Sequence, residues 1–590
     1  MKIILTTLNS KFIHTSLSIR YLKSYCSDMP IKTMEFTINQ NLDYIVGELY
    51  KEEPDIIGFS TYIWNREETL KICETLKLIN PNIKIILGGP EVSFDGDKIL
   101  NDYPFIDFII YGEGEVSFHQ LLERLITHKE DYNINGLIYR KGEEIIVNPP
   151  MELIRDLDLI PSPYVNLKED LENKIVYYES SRGCPFNCKF CLSSTIKGVR
   201  YFSMERVKED LEILINANVG QVKFVDRTFN ANKKYAMEIM NFIMEKNPKK
   251  INFHFEVTAH LLDREMLDFI SKAKEGLFQF EIGVQSTNLK TIEAIGRTTD
   301  LEKLKLITKE IKSYENIHQH LDLIAGLPYE DYSSFKNSFN DVYEIRPEKI
   351  QLGFLKLLKG SGLRQDSDKY GIVFLDAPPY EVLETDWINY GEMLRLKGIE
   401  DLVGKYYNEG YFQHSLEYII KNYYKTSFDF FEDFLNYWEN KGYHTISHSR
   451  DNLYEILMDF CHYKEYENLW IINEIVKYDY IYNHKNPYLP KFIDRKGDEF
   501  IQKNRHEILK DENILNDHLS QYKNMATKEL IKKIHIEKFK LDLSNLFSKD
   551  YDFEDYMLKD TYILFEYRDG VINKCKTYDI TKNIIGSEEY

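Results

Sequence analysis

Glu179-Ser-Ser-Arg-Gly-Cys-Pro-Phe-Asn-Cys-Lys-Phe-Cys191 places Cys184, Cys188 and Cys191 in a C-x3-C-x2-C run. The chain has seven cysteines, so three of them fall within eight residues. Thiolates bind iron well, and iron–sulfur clusters are held by cysteine sulfur. Three sulfurs can hold three irons of a 4Fe–4S cube and leave the fourth open to a molecule that is not protein. An open position of this kind separates a reacting metal site from a structural one. The competing reading is a zinc knuckle, which needs four ligands, usually as two pairs. No second cysteine pair lies nearby: the closest other cysteine is Cys73, and His254 and His260 could help only from another strand. A disulfide reading leaves one of the three thiols unpaired.

Outward from this loop the chain alternates between strands and helices. Lys174–Ser180 reads as an apolar strand that delivers the cysteines, and strand–helix pairs follow through Lys349–Leu355. Six such units suit a partial TIM-like (β/α)6 barrel, whose reactive groups sit at the carboxyl ends of the strands. Before the loop, strands at 2–8, 31–36, 55–62, 84–87 and 106–110 alternate with amphipathic helices, which predicts a doubly wound, flavodoxin- or Rossmann-like parallel sheet. Its strand ends carry Ser60-Thr61-Tyr62, Gly88-Gly89-Pro90-Glu91 and Gly112-Glu113. The expected divisions are 1–130 for this first domain, 131–173 for a hairpin and proline-rich linker, 174–360 for the barrel, and 361–590 for a mostly helical extension with a mixed tail. The fold class is therefore α/β.

The cysteine run, with Phe190 just before its last member, resembles the radical S-adenosylmethionine superfamily. That resemblance implies a 4Fe–4S cluster on Cys184, Cys188 and Cys191. Its open iron would bind the amino and carboxylate groups of S-adenosylmethionine, and reductive cleavage would yield a 5′-deoxyadenosyl radical. The cofactors carry that chemistry, and the protein places and shields them. By the same resemblance Asp226 stands where the methionine amino group is bound. Glu281, Gln285 and Ser286 stand on the strand that contacts the ribose and carboxylate, and Gly326-Leu327-Pro328 matches the fifth-strand turn. By alternation Glu256 and Asp322 point into a barrel, the face left open; the plainer reading of each carboxylate is an ion pair there with Arg182, Arg227 or Arg297. Arg297 either holds a carboxylate or caps a helix.

The first domain resembles the cobalamin-binding domain that precedes many radical S-adenosylmethionine enzymes. Ser60-Thr61-Tyr62, then 25 residues, then Gly88-Gly89 is similar to that family's pattern. The resemblance implies that Ser60, Thr61, Tyr62, Gly88, Gly89, Pro90, Glu91, Gly112 and Glu113 face cobalamin, the glycines allowing backbone to approach the corrin. His14 stands near the position of that family's cobalt-binding histidine. Phe12 and Leu17 replace the neighbouring Asp and Gly, so cobalamin is expected without an assigned protein ligand to its cobalt.

Composition narrows the function further. Seventy-five basic and 95 acidic residues give a net charge of −20, which disfavours a broad nucleic-acid surface. No apolar run approaches the ~20 residues that cross a bilayer. Few, scattered cysteines beside an oxygen-sensitive cluster point to a reducing cytoplasm. Only Cys26 and Cys73 lie in the first domain, so the second cysteine set of a transfer-RNA methylthiotransferase is missing. The leading expectation is a class B-type methyltransferase that methylates an unactivated carbon of a small-molecule or peptide substrate. An external reductant of flavodoxin or ferredoxin type would supply its electron. A rearrangement or cyclisation on the same cofactors is the second reading, and a cobalamin or redox sensor the third. The N-terminus Asn9–His14 and the extension after about residue 360 are similar to one subgroup of these proteins, whose extension is uncharacterised.

Overall fold

The computed structural model describes residues 1–165, 171–485, 489–490, 493, 499–543, 558–568 and 575–585. Part of the linker expected over 131–173 thus lies outside the described residues. The chain divides into two compact units, one of residues 1–338 with 352–393, the other of 339–351 with 394–590.

The first unit begins with β1 (Ile3–Asn9), α1 (Leu17–Tyr25), β2 (Ile31–Thr37), α2 (Leu42–Lys51), β3 (Ile56–Ser60), α3 (Arg66–Ile79), β4 (Lys84–Gly88), α4 (Gly96–Asp102), β5 (Phe108–Ile110) and α5 (Glu115–Ile126). The strands pair in parallel in the order β2-β1-β3-β4-β5. Residues of β1 and β3 are buried along their whole length, as strands covered on both faces require. Alternate side chains feed two cores. Ile4, Leu8, Ile57 and Phe59 pack with α2, α3 and α4, while Ile3, Leu5 and Ile56 pack with Ile19 of α1 and Phe118, Leu121 and Leu122 of α5. Strand order reverses between β1 and β3, which opens a crevice at their carboxyl ends.

Two features differ from the expectation. The hairpin β6 (Leu137–Lys141) and β7 (Glu144–Val147) joins this sheet, adding two antiparallel strands beyond β5. Helix α4 is additional to the expected elements; at seven residues it is too short to display a helical period.

The second sheet contains β8 (Ile175–Tyr178), followed by an antiparallel ribbon of β9 (Ser181–Cys184) and β10 (Gly198–Tyr201). Then come α6 (Met204–Asn216), β11 (Gln221–Phe224), α7 (Lys233–Lys246), β12 (Asn252–Glu256), α8 (Arg264–Ile270), β13 (Phe278–Gln285), α9 (Leu289–Ala294), α10 (Leu301–Ser313), β14 (His318–Ala325), α11 (Tyr332–Ile345) and β15 (Lys349–Phe354). The six strands lie in sequential order from β8 to β15, and the pairs from β8 to β14 are parallel. This is the open barrel anticipated from the alternation. One edge is dressed by the first domain: Ile175 N–H donates to Ile13 O at 2.8 Å, and Thr15 Oγ1 donates to Ile175 O at 3.1 Å. A polar layer crosses the strands, with Glu281 accepting from Lys223 Nζ at 3.0 Å and lying 2.8 Å from His254 Nε2.

After β15 come α12 (Gly362–Gln365) and a small pair, β16 (Val373–Phe374) with β17 (Val382–Glu384), all in the first unit. The second unit is mainly helical: α13 (Tyr390–Leu402) leads into α14 (Gln413–Tyr423), α15 (Ser427–Asn440), α16 (Arg450–Tyr463) and α17 (Leu469–Asn483). Phe428, Phe430, Phe431, Phe434 and Trp438 of α15 are buried and supply much of its aromatic core. The tail forms an antiparallel sheet, with β18 (Ile534–Leu541) and β20 (Cys575–Asp579) flanking β19 (Leu558–Tyr567). No helix among the described residues is long and apolar enough to cross a membrane.

Candidate functional site

The cysteine loop hangs between β9 and β10. Gly183 has φ +102°, and a Cβ there would lie 2.1 Å from Gly198 O, so the residue before Cys184 must be glycine for the ribbon to close. Further on, Cys191 N–H donates to Cys188 O at 3.1 Å and Lys189 N–H to Ile295 O at 2.9 Å. Gly296, at φ +65°, passes close to the carbonyl of Asn187. The loop is thus held by backbone bonds and close backbone contact.

Cys184, Cys188 and Cys191 line one cavity of about 150 Å³, together with Phe186, Phe190, Arg227, Glu256, Glu281, Gln285, Arg297 and Asp322. Arg297 Nη1 lies 3.8 Å from Cys188 Sγ, and its Nη2 donates to Gly283 O at 2.5 Å. Burial pushes the Cys188 thiol up; Arg297 opposes this, and the other two cysteines add to it. Among the described residues, no three His, Cys, Asp or Glu side chains converge on a point that suits a single metal ion. Three sulfurs spread around a cavity beside an arginine fit a cluster, in which each sulfur binds a different iron.

Gln285 has a left-handed backbone, φ +72°, at a register shift between β13 and β14. Its side chain folds over Gly283, where a Cβ would lie 2.2 Å from Gln285 Nε2. Gln285 is buried and its Oε1 has no hydrogen-bond partner. The left-handed backbone and the unsatisfied buried acceptor leave Gln285 with hydrogen-bonding capacity unused among the described residues. Asp322 Oδ1 is likewise buried without a partner. Burial, then Glu281 and Glu256, push the Asp322 carboxyl well up. Burial also raises Glu256, against the pull of Arg227. Glu281 is the opposite case: the His254 hydrogen bond and Lys223 outweigh burial and hold it at about 2.

Two residues expected here face other partners. Asp226 is not among the cavity's lining residues. Its carboxylate accepts from Ser180 N–H at 3.0 Å and from the hydroxyls of Ser180 and Ser181 at 2.6 Å, pinning the start of the cysteine ribbon. Ser286 Oγ donates to Glu330 Oε1 at 2.7 Å, away from the cavity lining. Glu281, Gln285 and Phe190 do line the cavity. Glu256 at the end of β12, Asp322 on β14 and Arg297 in the loop after α9 join them there; sequence position leaves the direction of each of these side chains open.

At the carboxyl ends of the first sheet, Ser60 lies at the reversal of strand order. Thr7 Oγ1 donates to Ser60 O at 3.0 Å, and the Ser60 and Ser18 hydroxyls are 2.8 Å apart. Tyr62 Oη donates to Ser18 Oγ, and its ring stacks on the half-exposed Trp64 at 4.5 Å. Thr61 N–H donates to Gly88 O at 2.7 Å. A Cβ on Gly89, φ +107°, would lie 2.5 Å from Thr61 O. Gly88 and Gly89 are partly exposed and Pro90 is exposed; Gly112, φ +78°, also faces open space. With the stacked Tyr62 and Trp64 rings, these residues make a low, partly aromatic shelf. The shelf suits a flat, largely apolar ligand.

The two acids expected on this shelf are engaged elsewhere. Glu91 accepts from Tyr380 Oη and lies 3.5 Å from Lys359 Nζ. Glu113 pairs with Arg200 at 2.5 Å and Arg182 at 3.6 Å and accepts from Ile154 N–H. These partners outweigh burial and hold Glu113 below the usual carboxylate range. Arg182, two residues before Cys184, also meets Glu115 at 2.6 Å and Glu179 at 2.9 Å. Both shelf acids therefore tie the first sheet to the segments around the cysteine loop. His14 is half-buried, with Nδ1 2.9 Å from Tyr177 Oη.

Known family models match the regions of the chain that carry these two groups of residues. The B12 binding domain model matches residues 3–122, the Radical SAM superfamily model residues 178–342, and a model for a protein of unknown function, DUF4080, residues 368–565. The chain is 28% identical over 344 residues to the cobalamin-dependent radical SAM methyltransferase TokK of Streptomyces tokunonensis, covering 54% of this chain and 50% of TokK. It is 26% identical over 337 residues to the anaerobic magnesium-protoporphyrin IX monomethyl ester cyclase of Cereibacter sphaeroides, covering 53% of each. The chain thus spans about half the length of these relatives. The structure of the cobalamin-dependent S-adenosylmethionine radical enzyme OxsB with aqua-cobalamin bound shares the fold, with a TM-score of 0.58 at 16% identity, over 81% of this chain and 80% of that one.

Proposed function

We propose, for a chain that is a radical S-adenosylmethionine protein with a B12-binding domain before its barrel and a DUF4080 region after it, that it is an enzyme methylating an unactivated carbon. When bound, the iron–sulfur cluster and S-adenosylmethionine supply a carbon-centred radical, and cobalamin supplies a transferable methyl group. Cys184, Cys188 and Cys191 would hold the cluster. Arg297, beside Cys188, suits a carboxylate. The unsatisfied oxygens of Gln285 and Asp322 suit hydroxyl or amino groups, and Glu256 suits a cation. Phe186 and Phe190 give the cavity apolar walls. Ser60, Thr61, Tyr62, Gly88, Gly89, Pro90 and Gly112 would bear the corrin, with no protein ligand assigned to cobalt.

The observation that carries the reading is the convergence of three sulfurs, an arginine and two unsatisfied buried acceptors on one cavity, in the same compact unit as the shelf. A single-electron reductant, a small-molecule or peptide substrate and a cytoplasmic setting complete the proposal. The relative that closes a ring gives the second reading, cyclisation or rearrangement without methyl transfer.

The test is anaerobic purification with hydroxocobalamin, cluster reconstitution, dithionite and S-adenosylmethionine, with products read by mass spectrometry. Formation of both 5′-deoxyadenosine and S-adenosylhomocysteine supports methyl transfer. Deoxyadenosine alone moves the assignment to the second reading, and neither product sinks both.

A further inference from the structure

Nine residues between the two matched regions 178–342 and 368–565 contact both the turn that follows the shelf glycines and the cysteine loop. At one end, Lys359 Nζ lies 3.5 Å from Glu91 and 2.7 Å from Asp95, on the turn after β4. The Lys359 and Glu91 side chains are only 11% and 6% exposed. Gly360, φ +82°, lies so close to Phe94 that a Cβ would sit 2.2 Å from its ring. At the other end, Leu363 N–H donates to Lys189 O at 2.9 Å, inside the cysteine loop. Leu363 is fully buried in the cluster against which Phe190 packs, and Asp366 pairs with Lys189 at 2.8 Å. The segment is stapled to itself by Ser361, whose Oγ accepts from Arg364 N–H, and by Arg364 Nη1, which donates to Leu357 O at 2.7 Å.

Magnitudes rank these links. The Asp366–Lys189 pair is about one-third exposed on each side and contributes little alone. The buried contacts, Lys359–Glu91 at one end and Leu363 with its backbone bond at the other, are the ones that resist displacement. A short, internally bonded segment held firmly at both ends passes a shift at one end to the other.

We propose that residues 358–366 are a brace that couples occupancy of the Gly88–Glu91 shelf to order in the cysteine loop. Lys359 and Leu363 are its positioning residues. The inference rests on the reading that the shelf takes cobalamin and the loop an iron–sulfur cluster. Coupling of this kind is reciprocal: whatever one ligand gains from the other, the other gains equally.

The experiment measures hydroxocobalamin affinity for the full chain, by equilibrium dialysis, before and after anaerobic cluster reconstitution. Reconstitution is expected to tighten binding to the wild type by about fivefold or more. In Lys359→Met the two affinities converge to within about twofold, while the variant still binds iron and corrin; in Lys359→Arg the difference returns. Leu363→Ala, which acts at the other end, gives the same convergence. Equal wild-type affinities overturn the brace, as does an undiminished ratio in both Lys359→Met and Leu363→Ala. A wild type that binds no corrin or holds no iron overturns the underlying reading, and the coupling with it.

Discussion

Replacing Arg182 with Met removes the one cation that meets Glu113, Glu115 and Glu179 at 3.6, 2.6 and 2.9 Å. All four side chains are at least 83% buried, so water cannot replace the guanidinium. Breaking a buried pair costs about 3–5 kcal/mol because a charge is left uncompensated. Burial already pushes Glu179 to about 7, against the pull of Arg182, so it can take up a proton when the arginine goes. That relief sets the expected cost near the low end, ~3 kcal/mol. At about 2.1 cal/mol/K per residue, a unit of about 380 residues unfolds with about 0.8 kcal/mol/K. The melting temperature of that unit should therefore fall by about 4 °C at pH 8, measured by calorimetry. The sign with pH follows. Loss of Arg182 raises the folded-state pKa of the carboxylates it faced, and a raised carboxylate is stabilising below its unfolded pKa and destabilising as pH rises through the folded value. The deficit should thus be largest at pH 8 and smaller at pH 5. Adding Glu115→Gln should restore part of it. A variant that melts within 1 °C of wild type at pH 8 would refute the claim that this hub ties the sheet to the cysteine ribbon.

Three further outcomes are expected. Glu330, buried with Ser286 and Ser338 donating to it, is pushed by burial to about 7, so its charged form destabilises the fold as pH rises from about 4.5 to above 7. Glu330→Gln should flatten that part of the stability–pH curve and add up to about 3 kcal/mol at pH 8, read by urea unfolding. Gly89→Ala combines a positive φ with a 2.5 Å clash on Thr61 O, and should lower cobalamin retention on gel filtration at least tenfold while iron content holds. Gly283→Ala must displace Gln285 Nε2, so it should match Gln285→Ala in weakening S-adenosylmethionine binding, measured calorimetrically on the reconstituted protein; different effects would disconnect the two residues.

What could be read from the chain depended on how local the signal was. Cys184, Cys188 and Cys191 were legible because one loop holds all three, and the strand alternation was legible because every strand carries its own pattern. Gln285 lines the cavity at the strand end where its position put it. Asp226 turns away from that cavity, because position at a strand end says nothing about which side the carboxylate takes, and Ser180 and Ser181 at the start of the cysteine ribbon hold it. Glu91 and Glu113 were assigned to a ligand, yet their partners lie far along the chain at Lys359, Tyr380, Arg182 and Arg200. Long-range pairing of this kind leaves no trace in a local pattern. The tail sheet of β18, β19 and β20 escaped for a similar reason: β19 is buried on both faces over its last seven residues, so it shows no alternation to distinguish it from a buried helix.

The segment Ile13–Thr15 has a consequence for how such chains can be cut and recombined. It belongs by sequence to the first domain, yet it lies along the edge of β8, the strand that opens the second sheet. A barrel excised at the apparent boundary would expose unpaired N–H and C=O groups on that edge, the kind of surface that recruits other chains. The parts that sequence comparison treats as separate modules therefore share a strand margin. A graft of either one onto a foreign partner has to bring a substitute for these three residues.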